Sequence, residues 1–244
     1  MSDPSVQAVI IVVPVHDEEK LLHRCLDSLS AAVARVDVPC EVRVVLDACT
    51  DRSAGIAATH PFEVVVADAN AVGAARSLGI RSGLRSLTGM PSDRVWIANT
   101  DADSSVPANW LTVQLDLAAA GADVVVGTVR PDFDDLRPHH QRLWLDTHTP
   151  GLPNGHTHGA NLGLRASTYL GVGGFSDRDE HEDALLVDAC RRVGAAICAT
   201  DAAEVLTSGR FIGRTPGGYA GYLRDQDRVL QIERALRTFQ RDAS

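Results

Sequence analysis

The sequence predicts an α/β fold, in which helices cover both faces of a mostly parallel central sheet in an α/β/α sandwich. Short apolar runs of strand length alternate with amphipathic stretches over the first half of the chain, which is the pattern of a helix-covered parallel sheet. The chain has 244 residues, of which 45% are hydrophobic. That is enough for one sizeable core and too little for two full catalytic domains, so we expect one active site.

Each element of the first half follows from its own run of residues. Apolar runs predict strands at 9–15, 41–46, 62–67, 94–99 and 123–129. Apolar residues at helical spacing predict helices at 21–29, 51–59, 71–86 and 107–120. We expect Thr50 or Asp51 to cap the second helix, and Pro107 occupies the favoured first turn of the fourth.

The second half of the chain is less regular. Between residues 130 and 158 the periodicity fails and five histidines accumulate, which predicts a long functional or mobile loop with one short helix at 141–146. A strand at 160–164, a helix at 182–193 and a strand at 195–199 follow. A glycine-rich loop at 207–218 precedes a terminal helix at 219–241, which is a candidate for covering the core or pairing two subunits. We therefore predict a catalytic domain at 1–205 and a C-terminal loop and helix extension at 206–244.

Charge and composition exclude several classes of protein. The net charge of -9 argues against a nucleic-acid or anionic-membrane binder, because either needs a basic face. No apolar run reaches the roughly 20 residues that span a bilayer, and the first residues lack the pattern of a signal peptide. We therefore expect a cytoplasmic protein without a transmembrane segment. The five cysteines are odd in number and show no CxxC spacing, which predicts reduced core thiols.

The strongest chemical signal is Asp101-Ala102-Asp103, directly after the fourth predicted strand. Ligands of open α/β sheets bind beyond the carboxyl ends of the strands, where this turn is expected. Two carboxylates separated by one residue can converge on a hard cation such as Mg²⁺ or Mn²⁺, and a nucleotide diphosphate can complete its coordination. The alternative is that both aspartates form an Asx turn and cap the next helix.

Several stretches together resemble the inverting GT-A glycosyltransferases, and in particular glycosyltransferase family 2. The stretches occur in the family's order at 13–19 (VPVHDEE), 44–51 (VVLDACTD), 73–80 (GAARSLGI), 101–103 (DAD), 173–175 (GGF) and 182–183 (ED). The resemblance covers roughly residues 8 to 200. It implies the GT-A fold, a Rossmann-like nucleotide-binding sandwich, and transfer of a sugar from a nucleotide-sugar donor, a UDP- or GDP-sugar, to an acceptor hydroxyl.

The same resemblance implies a donor site at the ends of the first two strands. Pro14 is expected to shape the turn there, with His16 and either Glu18 or Glu19 near the nucleoside. Asp47 matches an acid whose carboxylate accepts from the base or ribose. Leu46 and Ala48 depart from the family's D-D-G-S pattern, which leaves the donor's base open.

Arg76 matches an arginine that lies against the donor, and its guanidinium fork suits phosphate. The alternative is a solvated arginine on a helix. Asp183 of the Glu182-Asp183 pair matches the general base that deprotonates the acceptor. The alternative is that both acids are there because negative charge is favoured at a helix N-terminus.

The remaining candidate residues follow later in the chain. By analogy with the family, His158 and Asn161 are expected to face the donor sugar and the acceptor. His158 is also a candidate third metal ligand, and His181 is a further histidine candidate for the site. Arg210 and Arg214 could clamp the diphosphate or an acidic acceptor. The Q-x-x-R-W motif of processive members is absent, which favours a single transfer to a small-molecule or lipid acceptor.

Three alternative functions stay open on the sequence alone. A retaining GT-A enzyme differs in the anomeric configuration of its product. A sugar-phosphate nucleotidylyltransferase uses a similar sheet, but its G-x-G-T-R loop is missing after the first strand. A non-catalytic nucleotide-sugar-binding protein would bind donor and transfer nothing.

Overall fold

The computed structural model describes residues 5–153, 156–176 and 181–210, together with Gly221. The helices are α1 (Leu22–Val33), α2 (Ser53–Ala57), α3 (Val72–Ser86), α4 (Trp110–Ala119), α5 (Pro138–Thr147), α6 (Ala166–Gly171) and α7 (Glu182–Arg192). The strands are β1 (Ala8–Val15), β2 (Cys40–Asp47), β3 (Glu63–Ala67), β4 (Val95–Asn99), β5 (Ser104–Ser105), β6 (Val124–Pro131), β7 (Leu162–Arg165) and β8 (Ile197–Thr207). Short 3-10 turns lie at Ser92–Arg94, Phe133–Asp135 and Gly159–Asn161.

The chain divides into two compact units. The first comprises residues 1–130 and 150–207, and the second comprises residues 131–149 and 208–244. The first unit carries the sheet, whose strands are ordered β3-β2-β1-β4-β7-β6-β8-β5. The predicted domain boundary at 205/206 stays a prediction, because most of the predicted extension, including the terminal helix at 219–241, lies outside the described residues apart from Gly221.

The predicted α/β class is confirmed, but the sheet is mixed where we expected it to be mostly parallel. Strands β3, β2, β1 and β4 are parallel, whereas β7 is antiparallel to both of its neighbours, β4 and β6. The first four strands are joined by crossover segments that carry α1, α2 and α3, as parallel strands require. The strand predicted at 123–129 forms β6, yet it does not extend the parallel series because β7 lies between it and β4.

The sheet has a buried core on each face. Strand β1 is buried along its whole length, with Val9, Ile11 and Val13 on one face and Ile10 and Val12 on the other. The first face packs against α1 and α4, and the second packs against α3, α6 and α7. A strand buried on both faces is apolar throughout, which explains the continuous run in the sequence.

Helix α1 shows what the apolar stripes contribute. Its buried residues are Leu22, Cys25, Leu26, Leu29 and Ala32, which recur at spacings of three and four. Each leucine is fully buried, and burial of a leucine side chain stabilises a fold by about 1.5–3 kcal/mol. The stripe therefore fixes α1 against the sheet.

The second unit contains the short helix predicted within the histidine-rich loop. Helix α5 begins at Pro138, in the favoured first position, and covers the predicted span 141–146. Gln141 Nε2 donates to the carbonyl of Phe133 over 2.7 Å, and Gly209 N donates to Asp135 Oδ2 over 2.9 Å. The first bond lies within the segment 131–149, and the second joins that segment to the one that begins at Ser208.

Two further predictions concern the whole chain. Within the described residues, no helix is both long and apolar enough to cross a bilayer. All five cysteines are free thiols, with Cys25 and Cys190 buried and the other three partly buried. Burial raises the pKa of the Cys190 thiol and raises that of Cys40 to about 11, so neither is a ready thiolate.

Candidate active site

The Asp101–Asp103 turn follows β4, as predicted. Thr100 N donates to the carbonyl of Val12 on β1, and Ser104 N donates to the carbonyl of Asp101, which closes the turn. Strand β5 then pairs Ser104 with Thr207 of β8. The turn is thus held at both ends, and 36% of the Asp101 side chain is exposed.

The helix-capping alternative for these aspartates is excluded. Helix α4 begins at Trp110 and is preceded by Asn109, so Asp101 and Asp103 lie too far upstream to cap it. Asp103 Oδ1 instead lies 3.4 Å from the hydroxyls of Ser104 and Thr207. The two carboxylates lie on one turn at the carboxyl end of a strand, where a cation could bind them.

A buried arginine connects this turn to two other segments. Arg76 on α3 is only 2% exposed, which excludes the solvated-arginine alternative. Its Nη2 donates to Asp101 Oδ1 over 2.5 Å, and its Nη1 donates to the Gly159 carbonyl over 3.1 Å. Its Nε lies 3.3 Å from Glu182 Oε1, an ionic contact outside hydrogen-bond geometry.

The carboxylates around Arg76 stabilise its charged guanidinium. Burial lowers the pKa of the guanidinium, but the carboxylates of Asp101, Glu182 and Asp183 outweigh it, so the pKa stays above its ordinary value. The guanidinium carbon also lies 5.9 Å from the centre of the Phe175 ring. We call Arg76, Asp101, Gly159, Glu182 and Asp183 the arginine network.

Gly159 belongs to this network for a steric reason that sequence reasoning missed. A β-carbon at this position would lie 2.3 Å from Arg76 Nη2. Any other residue would therefore displace the guanidinium. The signal in the sequence is the glycine of His158-Gly159-Ala160-Asn161, between residues whose polar side chains draw more notice.

The two acids predicted near the acceptor open helix α7. Asp183 Oδ2 accepts from Gly159 N over 2.7 Å, and its Oδ1 accepts from Ala184 N over 2.7 Å. Glu182 is buried, and burial raises the pKa of its carboxyl although the Arg76 charge opposes this. Both acids lie in the first turn of the helix, so the helix-terminus explanation accounts for part of their placement.

The ends of β1 and β2 are bonded to one another. His16 Nδ1 lies 2.7 Å from the carbonyl of Asp47, and Glu18 N donates to Ser53 Oγ over 2.9 Å. Asp17 adopts a left-handed backbone with φ 51°, and its carboxylate accepts from Thr50 N and Asp51 N. The Thr50 backbone bond lowers the pKa of Asp17. These bonds shape the predicted donor loops.

The structure shows the surroundings of two further residues of the predicted donor site. Pro14 was expected to shape the turn after the first strand, and it lies within β1 opposite Val45, one residue before the strand ends. Asp47 uses its carboxylate to accept from the backbone N–H groups of Ala69, Asn70 and Ala71, over 2.7 to 2.9 Å. It therefore orders the turn before α3. Ala48, which stands for the family's glycine, has φ 51°.

The acceptor candidates have different surroundings. Asn161 is buried; its Nδ2 donates to the carbonyls of Thr128 and Ala203, and its Oδ1 accepts from Trp110 Nε1. This bonding favours a structural role. His158 directly precedes the 3-10 turn at Gly159–Asn161, and His181 precedes α7 with φ 60°.

Two remaining residues were predicted to clamp phosphate. Arg210 N donates to Ser208 Oγ in the second unit, and Arg214 lies outside the described residues. Of the described His, Cys, Asp and Glu residues, only His23, Asp27 and His60 form a group of three with metal-binding geometry. His158 therefore does not complete such a group with Asp101 and Asp103.

Asp101 and Asp103 still fit a hard cation. Arg76 binds Asp101 through Oδ1, and Asp103 follows two residues later on the same turn. Two carboxylates suit Mg²⁺ or Mn²⁺, which commonly take further oxygen ligands from water and substrate phosphates. The arrangement can therefore hold a cation together with a diphosphate.

Comparisons with known proteins bear on the family of this chain. The family model described as Glycosyl transferase family 2 matches residues 10–173. A curated relative, undecaprenyl-phosphate 4-deoxy-4-formamido-L-arabinose transferase of Pectobacterium carotovorum subsp. carotovorum (strain PC1), is 29% identical over 133 residues, which are 53% of this chain. The chain spans 39% of the length of that relative.

Solved structures share the fold. The mannosyltransferase PcManGT from Pyrobaculum calidifontis, in complex with GDP-Man and Mn²⁺, superposes with a TM-score of 0.63 at 22% identity, covering 96% of this chain and 66% of its own. S. aureus TarS 1-349, in complex with UDP-GlcNAc, gives 0.64 at 15% identity, covering 87% and 61%. These likenesses confirm the GT-A fold that the sequence implied.

Proposed function

We propose a sugar-transfer reaction for this chain, which belongs to glycosyl transferase family 2. The reaction moves a sugar from a nucleoside-diphosphate sugar to an acceptor hydroxyl. The observation that carries the proposal is the arginine network, because one buried guanidinium contacts Asp101, the Gly159 carbonyl and Glu182, which lie in three distant parts of the chain, and Gly159 N in turn donates to Asp183. The network includes the turn beyond β4, where ligands of such sheets bind.

Asp101 and Asp103 are proposed to hold Mg²⁺ or Mn²⁺. When bound, the ion supplies a Lewis acid that offsets the charge developing on the departing diphosphate. Arg76 contributes by fixing the orientation of Asp101 from the protein interior. The loops carrying His16 and Glu18 are proposed to contact the nucleoside, and Asp47 supports the adjoining turn.

Asp183 is the proposed general base of a single displacement with inversion. It takes the proton of the acceptor hydroxyl, whose oxygen forms a bond to the anomeric carbon, and the bond from that carbon to the diphosphate breaks with its electron pair leaving on the diphosphate. Gly159 N donates to Asp183 Oδ2 and so fixes the carboxylate. A retaining enzyme would give the opposite anomeric configuration, which product analysis distinguishes.

The relatives suggest which ligands to test. Neighbouring structures contain GDP-Man and UDP-GlcNAc, which supports a UDP- or GDP-sugar donor. The curated relative is named for a lipid phosphate, which supports a lipid acceptor beside a small-molecule one. The cytoplasmic location and the homodimer considered from the sequence are part of this proposal. A nucleotidylyltransferase is disfavoured because its glycine-rich loop is missing after β1.

The decisive test is metal-dependent donor binding. A thermal-shift panel of UDP- and GDP-sugars, with and without Mn²⁺, should find a donor that raises the melting temperature only with the ion, since ligands of the native state stabilise it. Asp103→Asn should abolish that shift, whereas Asp116→Asn, an exposed aspartate on α4, should keep it. An Asp103→Asn protein with unchanged affinity in calorimetry would refute the metal assignment.

A donor-bound protein must also be shown to transfer. Product formation with a sugar acceptor or a polyprenyl phosphate would support the proposed glycosyltransferase activity. Tight donor binding with neither transfer nor hydrolysis would favour the non-catalytic alternative instead.

A further inference from the structure

We propose a second metal site, formed by His23, Asp27 and His60 on the surface of the first unit, that takes a divalent transition metal such as Zn²⁺. His23 and Asp27 lie one turn apart on α1, and His60 follows α2. Their ligand atoms all lie within 4.8 Å of one another. None of these residues belongs to the arginine network or to the Asp101–Asp103 turn.

The distances within the group suit one small ion. Asp27 Oδ2 lies 2.8 Å from His23 Nδ1, and Asp27 Oδ1 lies 3.1 Å from His60 Nε2. Zinc holds nitrogen and oxygen ligands at about 2.0–2.1 Å in a tetrahedron, whose ligands are then about 3.3 Å apart. The group therefore needs only small side-chain adjustments to close around an ion.

The orientation of His60 favours a metal over an ordinary hydrogen bond. Its Nδ1 lies 3.3 Å from the Ile56 carbonyl and 3.2 Å from the Thr59 hydroxyl, which itself donates to that carbonyl over 2.7 Å, and this favours the tautomer with the ring proton on Nδ1. In the neutral ring, Nε2 then presents a lone pair to the Asp27 carboxylate. Two acceptors at 3.1 Å need a cation or a proton between them, and a metal ion meets that need while the imidazole stays neutral.

The surrounding residues fix His60 in position and leave His23 and Asp27 exposed to solvent. His60 is only 7% exposed as a side chain, and its ring stacks on Phe62 with an angle of 15° between the rings. His23 is 66% and Asp27 60% exposed, which leaves room for water as a fourth ligand. Two imidazoles and one carboxylate match zinc better than Mg²⁺ or Ca²⁺, which prefer oxygen ligands throughout.

Such an ion would join α1 to the segment after α2. Helix α2 contains Ser53, which accepts from Glu18 N in the loop that leads to α1. The metal would therefore reinforce an existing connection between the two loops beyond β1 and β2. Its expected effect is stability of this part of the fold.

Calorimetry on the tag-free, metal-stripped full chain tests the site. Excess Mg²⁺ is included so that the oxygen site at Asp101 and Asp103 does not contribute, because imidazole sites prefer zinc. The wild type should bind one Zn²⁺ per chain, and both His23→Gln and His60→Gln should weaken that affinity at least about tenfold. His139→Gln, which removes a histidine outside the group, should bind like the wild type.

The exposed His23 makes this test independent of folding defects. Its replacement leaves the buried core untouched, so a normal melting temperature without metal is expected, together with loss of the rise that Zn²⁺ causes in the wild type. Equal Zn²⁺ affinity in His23→Gln and wild type, or no Zn²⁺ binding by the wild type in excess Mg²⁺, would overturn the proposal. The second result would mean that protons alone hold the group together.

Discussion

Arg76 donates to Asp101 across 2.5 Å from inside the protein, although more than a third of the Asp101 side chain is exposed. One oxygen of this aspartate thus bonds to a buried side chain, and the aspartate side chain is still partly exposed to solvent. The same guanidinium contacts Glu182 and the Gly159 carbonyl. The candidate site is therefore part of the folded core and does not rest on surface loops alone.

Arg76→Gln should destabilise the protein by about 3–5 kcal/mol, because it leaves buried carboxylate charge unpaired. Urea denaturation followed by circular dichroism measures this loss. Arg81→Gln removes an exposed arginine from the same helix and should change the free energy of unfolding by less than about 0.5 kcal/mol. Equal stability of the two variants would show that the network contributes nothing to the fold.

Asp183→Asn should keep donor affinity and lower kcat by at least about 100-fold, which is the usual contribution of a general base. Asparagine retains one oxygen that can accept from Gly159 N, and it loses only the second bond, from Ala184 N. Asp183→Ala loses both the base and that hydrogen bond, and should in addition lower stability. A kcat for Asp183→Asn within a few-fold of the wild type would exclude Asp183 as the base.

Gly79→Ala should destabilise the protein by about 1–3 kcal/mol through overpacking. A β-carbon there would lie 2.6 Å from Val12 Cγ1 and 2.8 Å from Val45 Cγ2, so α3 would have to move away from β1 and β2. Gly55→Ala on α2 is the matched control. Nothing lies within 4 Å of its added β-carbon, so helix propensity should raise stability by up to about 1 kcal/mol. The denaturation midpoints of the two variants should therefore shift in opposite directions from that of the wild type. A Gly79→Ala protein as stable as the wild type would contradict the close packing.

The wild type should lose stability relative to Glu182→Gln as the pH rises above about 4.5. Burial raises the pKa of Glu182 above its ordinary value of 4.5, so the folded protein holds this proton more tightly than the unfolded chain does. The contribution is therefore fully present below the unfolded pKa and is lost as the pH rises through the folded pKa. Unfolding free energies of both proteins at several pH values from about 4 to about 7 measure it. A difference that stays constant over this range would mean that the Arg76 charge fully offsets burial.

The order of strands and helices in the first half could be predicted because periodicity records which face of each element is buried. The direction of the strands in the second half of the chain could not be predicted. The antiparallel entry of β7 depends on how the chain returns after β6, and the residues of a strand carry no record of its neighbour's direction. The 3-10 turn at Gly159–Asn161 and helix α6 also lack a pattern long enough to detect.

The acidic residues of the candidate site could be predicted from the sequence, but the hydrogen-bond and ion-pair partners of the site residues could not. Asp101 and Asp103 stand out because they directly follow a strand, but nothing in the sequence distinguishes an arginine that points inward, as Arg76 does, from one in solvent. Nor does the sequence indicate that the Asp47 carboxylate accepts from three backbone N–H groups of a turn 22 to 24 residues further along the chain. Such partners are set by tertiary packing, which sequence spacing does not record.

The amide of Asn161 touches three segments at once: the indole of Trp110 on α4, the carbonyl of Thr128 on β6 and the carbonyl of Ala203 on β8. None of these can separate without breaking its bond to the same side chain. We therefore expect them to open as one cooperative unit, and the Trp110 indole hydrogen to exchange with deuterated solvent only when that unit unfolds. A single resolved proton resonance would then report the global stability of this part of the chain.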